Sequence, residues 1–171
     1  DLEIIGGAEG SGSGGNPVEV VEDGDAPDAL TGLQDATGAV DQITGTIDPG
    51  DTVDCYAITI ADIDAFGATT SNSPPNAGGF LLDSQLQVFD GDLNAVVFND
   101  DTVGGSGDFL STIPAGSLTG LGYEPGDYVI CITEWDVNAV NAAGEDIFGG
   151  NGRELRYPVA PNGDYVLADW V

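Results

Sequence analysis

VDCYAITI at residues 53–60 and DYVICITE at residues 127–134 decide the fold. In the first run Tyr56, Ile58 and Ile60 fall on one face of an extended chain; in the second Tyr128, Ile130 and Ile132 do the same. Both runs are rich in Val, Ile, Tyr and Thr, the composition of a pleated, half-buried surface. Cys55 and Cys131, the only cysteines, occupy the opposite, smaller face in matching phase. If the runs pair as antiparallel neighbours, the two sulfurs meet and a disulfide is expected; the alternative is two buried thiols. A bridge closing so long a loop is worth about 4 kcal/mol in the chain-entropy model. It also implies an oxidising, extracellular setting.

Working outward, Gly, Pro, Asn and Asp punctuate the chain roughly every eight to twelve residues. Further strand-like runs lie at residues 42–47, 66–70, 85–89, 95–99, 109–113 and 164–171. This pattern predicts an all-β fold: an antiparallel, jelly-roll-like β-sandwich. Only DALTGLQDATGAV, residues 28–40, can make a helical turn, and its glycines argue against more. Residues 1–16 read as an N-terminal arm, an apolar DLEII followed by a Gly/Ser-rich linker, and residues 17–171 as the sandwich. A chain of 171 residues fits one domain. It begins at Asp1 and contains no methionine, as expected after removal of a signal peptide.

The charge narrows the function. Thirty acidic residues face two basic ones, Arg153 and Arg156, for a net charge of -28; histidine and lysine are absent. Nucleic-acid phosphates and anionic membrane surfaces need basic partners, so neither is expected to bind. No run of eighteen apolar residues is present to insert into a bilayer. A Ser-His or Cys-His nucleophile cannot be built, nor a lysine Schiff base. Carboxylate chemistry remains, as cation binding or as a glycosidase pair of acids. Thirty acids supply accidental pairs freely, and the expectation is that the chain is not an enzyme.

The acids cluster in three places. EDGDAPDA at residues 22–29 carries Glu22, Asp23 and Asp25, and DPGDTVDC at residues 48–55 carries Asp51 and Asp54. Oxygen ligands from two such segments can converge on one hard cation, against the plainer reading of a solvated loop. The third cluster is DSQLQVFDGDLNAVVFNDD, residues 83–101. There Asp90, Asp92 and Asn94 have the 1-3-5 spacing of a calcium loop, but Ala95 replaces the required glycine and the flanks read as strands. DGDLN therefore reads as a hairpin turn. Asn99, Asp100 and Asp101 then form a separate acidic knot at the end of the second strand. Asp90, Asp92, Asn99, Asp100 and Asp101 are kept as candidates for a second cation site.

The blocks EDGDAPDA, GTIDPGDTVDCYAITI, DSQLQVFDGDLNAVVFNDD and LTGLGYEPGDYVICIT resemble, in order and spacing, successive blocks of the bacterial pre-peptidase C-terminal (PPC) domain. STIPAGSL and WDVNAVNAAGEDIF are similar to its relatives on exosortase-sorted (PEP-CTERM) surface proteins. The resemblance spans roughly residues 18–171. It implies a calcium-stabilised, jelly-roll-like sandwich without catalysis, with Glu22, Asp23, Asp25 and Asp54 in the calcium-ligating block and Asp100 and Asp101 at the acidic end of the hairpin. The cysteine pair lies outside the family's general pattern.

Together these readings predict an extracellular or cell-surface structural protein, held by calcium and self-associating into an oligomer or polymer. Leu2, Ile4 and Ile5 of the arm are expected to dock as a strand on the next copy. Arg153 and Arg156 are expected either to pair with carboxylates in the fold or to contribute to that contact. The alternative is a non-catalytic accessory module for a polysaccharide or a collagen-like matrix protein. Trp135, between Glu134 and Asp136, is expected in the core or as a plug at a strand end.

Overall fold

The structure, a computed structural model, describes residues 18–47, 52–70, 83–102, 109–150, 152–160 and 163–171, and the backbone of residues 2–5. Twelve strands follow in order: β1 (Leu2–Ile5), β2 (Glu19–Val21), β3 (Gln34–Ala36), β4 (Gln42–Thr44), β5 (Val53–Ile60), β6 (Gly67–Thr70), β7 (Ser84–Asp90), β8 (Ala95–Asn99), β9 (Thr112–Ile113), β10 (Gly126–Glu134), β11 (Ala139–Val140) and β12 (Asp169–Trp170). No helix is present among the described residues, and none therefore is long and apolar enough to cross a membrane.

Two five-stranded sheets make the sandwich. One has the order β2-β4-β1-β6-β9, the other β3-β5-β10-β7-β8, and β11 and β12 form a separate two-stranded ribbon. The expected antiparallel pattern holds except at two places: β2 runs parallel to β4, and β3 parallel to β5. Parallel neighbours need a crossover rather than a tight turn. Here each crossover passes through the other sheet, because β2, β3, β4 and β5 alternate between the two.

The longest ladder joins β5 and β10, from Gly126 opposite Ile60 to Thr133 opposite Val53. Its alternation sorts side chains as the sequence predicts. Tyr56, Ile58, Ile60, Ile130 and Ile132 face the other sheet, joining Ile43, Ala68, Leu86, Val88 and Ile113 in the main core. Cys55 and Cys131 are directly opposed, 4.2 Å apart at Cα, and form the disulfide. A disulfide fits an oxidising compartment and is consistent with an extracellular location.

The face carrying the disulfide is not solvent-exposed. The segment after β10 folds back over it, so that Phe89, Phe98, Val129, Ile147, Phe148 and Leu167 enclose both cysteines in a second core. Phe98 stacks on Phe148 at 5.4 Å, and Phe89 meets Phe148 and Trp170 edge-on at 6.1 Å each. Trp135, one residue past β10, is outside both cores and 55% exposed.

Leu2–Ile5 does not stand apart from the sandwich as an arm. Its backbone pairs with β4 on one side and β6 on the other, within the same chain.

The 76-residue separation of the bridged cysteines sets the expected effect of removing the bridge. A C55A/C131A variant should lose about 4 kcal/mol of unfolding free energy, read by urea titration, with an m-value that rises as the unfolded chain is released. A loss below about 1 kcal/mol would show that the bridge does not act by constraining the unfolded chain.

Candidate functional site

Among the described residues one group of carboxylates converges. Ligand oxygens of Glu22, Asp25 and Asp54 lie within 4.8 Å of one another. Three segments bring them there. Glu22 follows β2, and its N–H donates to Thr44 O at 2.8 Å, extending the β2–β4 pairing by one residue. Asp25 lies in the loop toward β3, and that loop is tied to the second sheet where Cys55 N–H donates to Pro27 O at 2.9 Å. Asp54 is the second residue of β5, opposite Ile132, and is 1% exposed. The cluster therefore sits where the edge of one sheet meets the other.

The Glu22 carboxylate is held in place. Its Oε1 accepts from Ala26 N–H at 2.9 Å and its Oε2 from Thr46 N–H at 2.7 Å. Gly45 makes this fit possible. A Cβ built there would stand 2.6 Å from Glu22 Oε2 and 2.9 Å from the Tyr56 hydroxyl, so any side chain at 45 would occupy the space of the carboxylate. The donor set is all oxygen and carries up to three negative charges beside a buried strand, which suits a hard divalent cation. Three carboxylates this close repel one another unless a positive charge is shared among them.

The remaining expected ligands are elsewhere. Asp23 is outside the group; its N–H donates to Gln34 Oε1 at 3.1 Å. Asp51 lies outside the described residues. Asp90 serves the hairpin turn: Oδ1 accepts from Asp92 N–H and Asn94 N–H at 2.9 Å each, and both oxygens accept from Asn94 Nδ2. Asp90 ends β7 at the hairpin while Asn99 ends β8, in register with Leu86, at the far end of the ladder. Four steps along a strand, Leu86 to Asp90, cover about 13 Å, so Asp90 and Asp92 cannot share a cation with Asn99, Asp100 and Asp101.

At that far end the acids meet the chain's own cations. Asn99 Oδ1 accepts from Thr112 N–H at 2.7 Å. Buried Asp100 accepts from Gly152 N–H at 2.9 Å and from Gln85 Nε2 at 3.4 Å. Arg153 Nε lies 3.4 Å from Asp101 Oδ2. Arg156 exchanges backbone hydrogen bonds with Phe98 at 2.9 Å in both directions, and its guanidinium donates to Gly149 O at 3.3 Å. Arg153 thus pairs with a carboxylate of the fold, while the hydrogen bonds named for Arg156 are with backbone groups.

Burial pushes the Asp100 carboxyl above its ordinary value, against the opposing pull of Gln85, Gly152 and Arg156. Asp83 is raised as well, first by burial and then by the charges of Asp100 and Asp101. Asp28 is lowered overall by hydrogen bonds from Thr31 and Leu30, which outweigh its desolvation.

A groove of ≈ 540 Å³ adjoins the carboxylate junction, with Asp25 common to both. Asp28, Thr31, Thr52, Asp169 and Trp170 line it. Trp170 Nε1 donates to Asp28 O at 2.8 Å, which fixes the indole at the groove wall. Sequence reasoning missed this groove and missed Gly45. The groove joins residues 25–31 to 169–170, a separation that no spacing rule reaches, and Gly45 is one of 27 glycines.

No protein-family model, curated protein or solved structure matches the chain.

The raised carboxyls fix a sign for the pH dependence. A carboxyl whose folded pKa lies above its unfolded value makes the fold bind protons more readily than the unfolded chain. Its ionisation therefore costs stability above the raised value, and the cost fades as pH falls toward the ordinary carboxylate range. Asp83→Asn should raise the urea midpoint at pH 7, with the advantage over the parent shrinking at pH 4 and at high salt. An unchanged midpoint at pH 7 would show that Asp83 is not strained by its neighbours.

Proposed function

We propose that the chain is an extracellular, non-catalytic structural protein whose sandwich is closed by a bound calcium ion and which associates with copies of itself on a surface or in a filament. The observation that carries this reading is the position of Glu22, Asp25 and Asp54 across the meeting of the two sheets. A cation there would tie the β2–β4 edge to β5, a fastening role rather than a catalytic one. Calcium suits the site better than magnesium, because it accepts many carboxylate and carbonyl oxygens in flexible geometry while magnesium retains its waters. The likeness of these blocks to PPC domains points the same way.

Self-association fits the surface. Val21 on β2 is 64% exposed and Val18 beside it 48%, and β2 has β4 as its only partner strand among the described residues. An edge of this kind offers apolar contact and main-chain pairing together. With a net charge of -28, copies would approach only where salt or divalent cations screen them.

Calcium at about 100 times its dissociation constant should stabilise the fold by about 2.7 kcal/mol, raising Tm by about 5–10 °C for a chain of this size. Asp54→Asn should abolish that shift, and Gly45→Ala should weaken it by displacing Glu22. Thermal unfolding in calcium, magnesium and sodium at matched ionic strength checks this. Equal stabilisation by all three means screening, not a site. Sedimentation velocity of the same samples reads association directly.

The groove beside the junction favours a second reading, an accessory module for a hydroxyl-rich polysaccharide. Carboxylate and hydroxyl acceptors along an indole wall suit sugar hydroxyls. Co-sedimentation with insoluble polysaccharides in calcium should retain the parent and release Asp169→Ala; absence of retention on neutral glycans sets the reading aside.

A further inference from the structure

We propose that β1 is exchanged between copies, the β1 of one chain filling the slot between β4 and β6 of the next. The proposal rests on the self-association reading and names its contact.

β1 is the middle strand of its sheet. Four of its residues are in register with β6, Leu2 with Thr70 through Ile5 with Gly67, and two with β4, Leu2 with Ile43 and Glu3 with Gln42. Without it the sheet divides into β2-β4 and β6-β9, and two strand edges lose their partners. Ile43 and Ala68, which β1 pairs with, belong to the main core. The slot must therefore be filled, but nothing in the pairing dictates by which copy.

Connectivity favours a choice. β1 is antiparallel to β4 while β2 is parallel to it, so the chain leaves β1 and enters β2 at the same end of the sheet, one strand apart. That step covers two strand spacings, about 10 Å. Residues 6–18 supply the connection, including GGAEGSGSGGN, and can reach about 40 Å at full extension. A short turn would commit β1 to its own sheet. A connection of this length does not. Closed and exchanged forms make the same strand pairings, so the balance is set by the effective concentration that the linker imposes, on the order of millimolar for short flexible linkers. Crowding of copies on a surface, with cations to screen the charge, shifts it toward exchange. One-way donation from copy to copy is a heterologous contact, which grows a filament wherever its rotation does not close a ring.

The test uses the full chain. Glu3→Cys in one preparation and Thr69→Cys in another replace Cα partners of the β1–β6 ladder. The two are mixed in calcium, concentrated, oxidised and run on a non-reducing gel. The expected result is a mixed dimer as the dominant cross-linked species, at least about tenfold above a control pairing Glu3→Cys with Thr119→Cys, an exposed position off the ladder. Gln42→Cys, the partner of Glu3 on β4, provides a second route if Thr69→Cys folds poorly. Deleting six residues from the Gly/Ser run in either background leaves a connection of about 23 Å at full extension, still longer than the step it spans, and should reduce the mixed dimer, since a shorter connection raises the effective concentration for closure. A mixed dimer no stronger than the control, with sedimentation still showing assemblies, overturns exchange and leaves self-association through another surface. The same gel result with the protein monomeric throughout overturns both.

Discussion

The pairing of β5 with β10 is the contact on which the rest of the structure depends. Its alternation assigns each residue of two long strands to one of two environments. Tyr56, Ile58 and Ile60 go to the space between the sheets, and Cys55 to the opposite face. Asp54 is in phase with Tyr56, so its carboxylate is carried to the sheet-to-sheet side at the start of β5, where Glu22 and Asp25 meet it. One register thus places the disulfide, the main core and the acidic junction. A slip by one residue would invert all three. The disulfide joins residues that the ladder already opposes and locks that register.

Several of the acids are met by backbone N–H groups rather than by a cation. Asp28 accepts from Leu30 and Thr31, Asp35 from Thr37, Asp62 from Asp64 and Ala65, and Asp146 from Phe148, Gly149 and Gly150. This is why the acids are mostly aspartate: its short side chain reaches the N–H groups two to four residues ahead and closes the turn. The junction is built differently. Its ligands come from positions 22, 25 and 54, and the Glu22 oxygens accept from Ala26 N–H four residues ahead and from Thr46 N–H beyond β4. The Asp100 end takes a third course and recruits the two arginines.

What could be read from the sequence follows the range of the interaction. The long strands β5, β7, β8 and β10 announce themselves by composition and period, and the phase of Cys55 against Cys131 foretells the bridge. The three-residue strands β2 and β3 do not, since EVV and QDA carry too few residues to show a period and lie among turn formers. β11 is shorter still, and its pairing with β12 depends on a chain segment thirty residues away. The second core was invisible for the same reason: the face bearing Cys55 reads as outward until Ile147, Phe148 and Leu167 fold over it. Among expected cation ligands, the clustering of Glu22 and Asp25 with Asp54 was legible only as two acidic blocks able to converge, since β3 and β4 separate them in the chain. Asp90 and Asp92 misled because a hairpin turn and a calcium loop ask for the same residues at the same spacing.

β4 connects the two proposals. One of its edges pairs with β2, whose extension at Glu22 reaches Thr46 just beyond β4; its other edge forms one wall of the slot that β1 fills. A cation shared by Glu22, Asp25 and Asp54 would hold β2 and β4 against β5 regardless of what occupies the slot. The opposite wall, β6, is held independently: Thr70 N–H donates to Ser111 O at 3.0 Å, and the Thr70 hydroxyl meets that of Ser84 at 2.8 Å in the other sheet. With such a cation bound, each wall would be fastened to the second sheet by contacts that do not involve β1. A slot with independently held walls can keep its shape while its occupant changes, which is the condition that strand exchange requires.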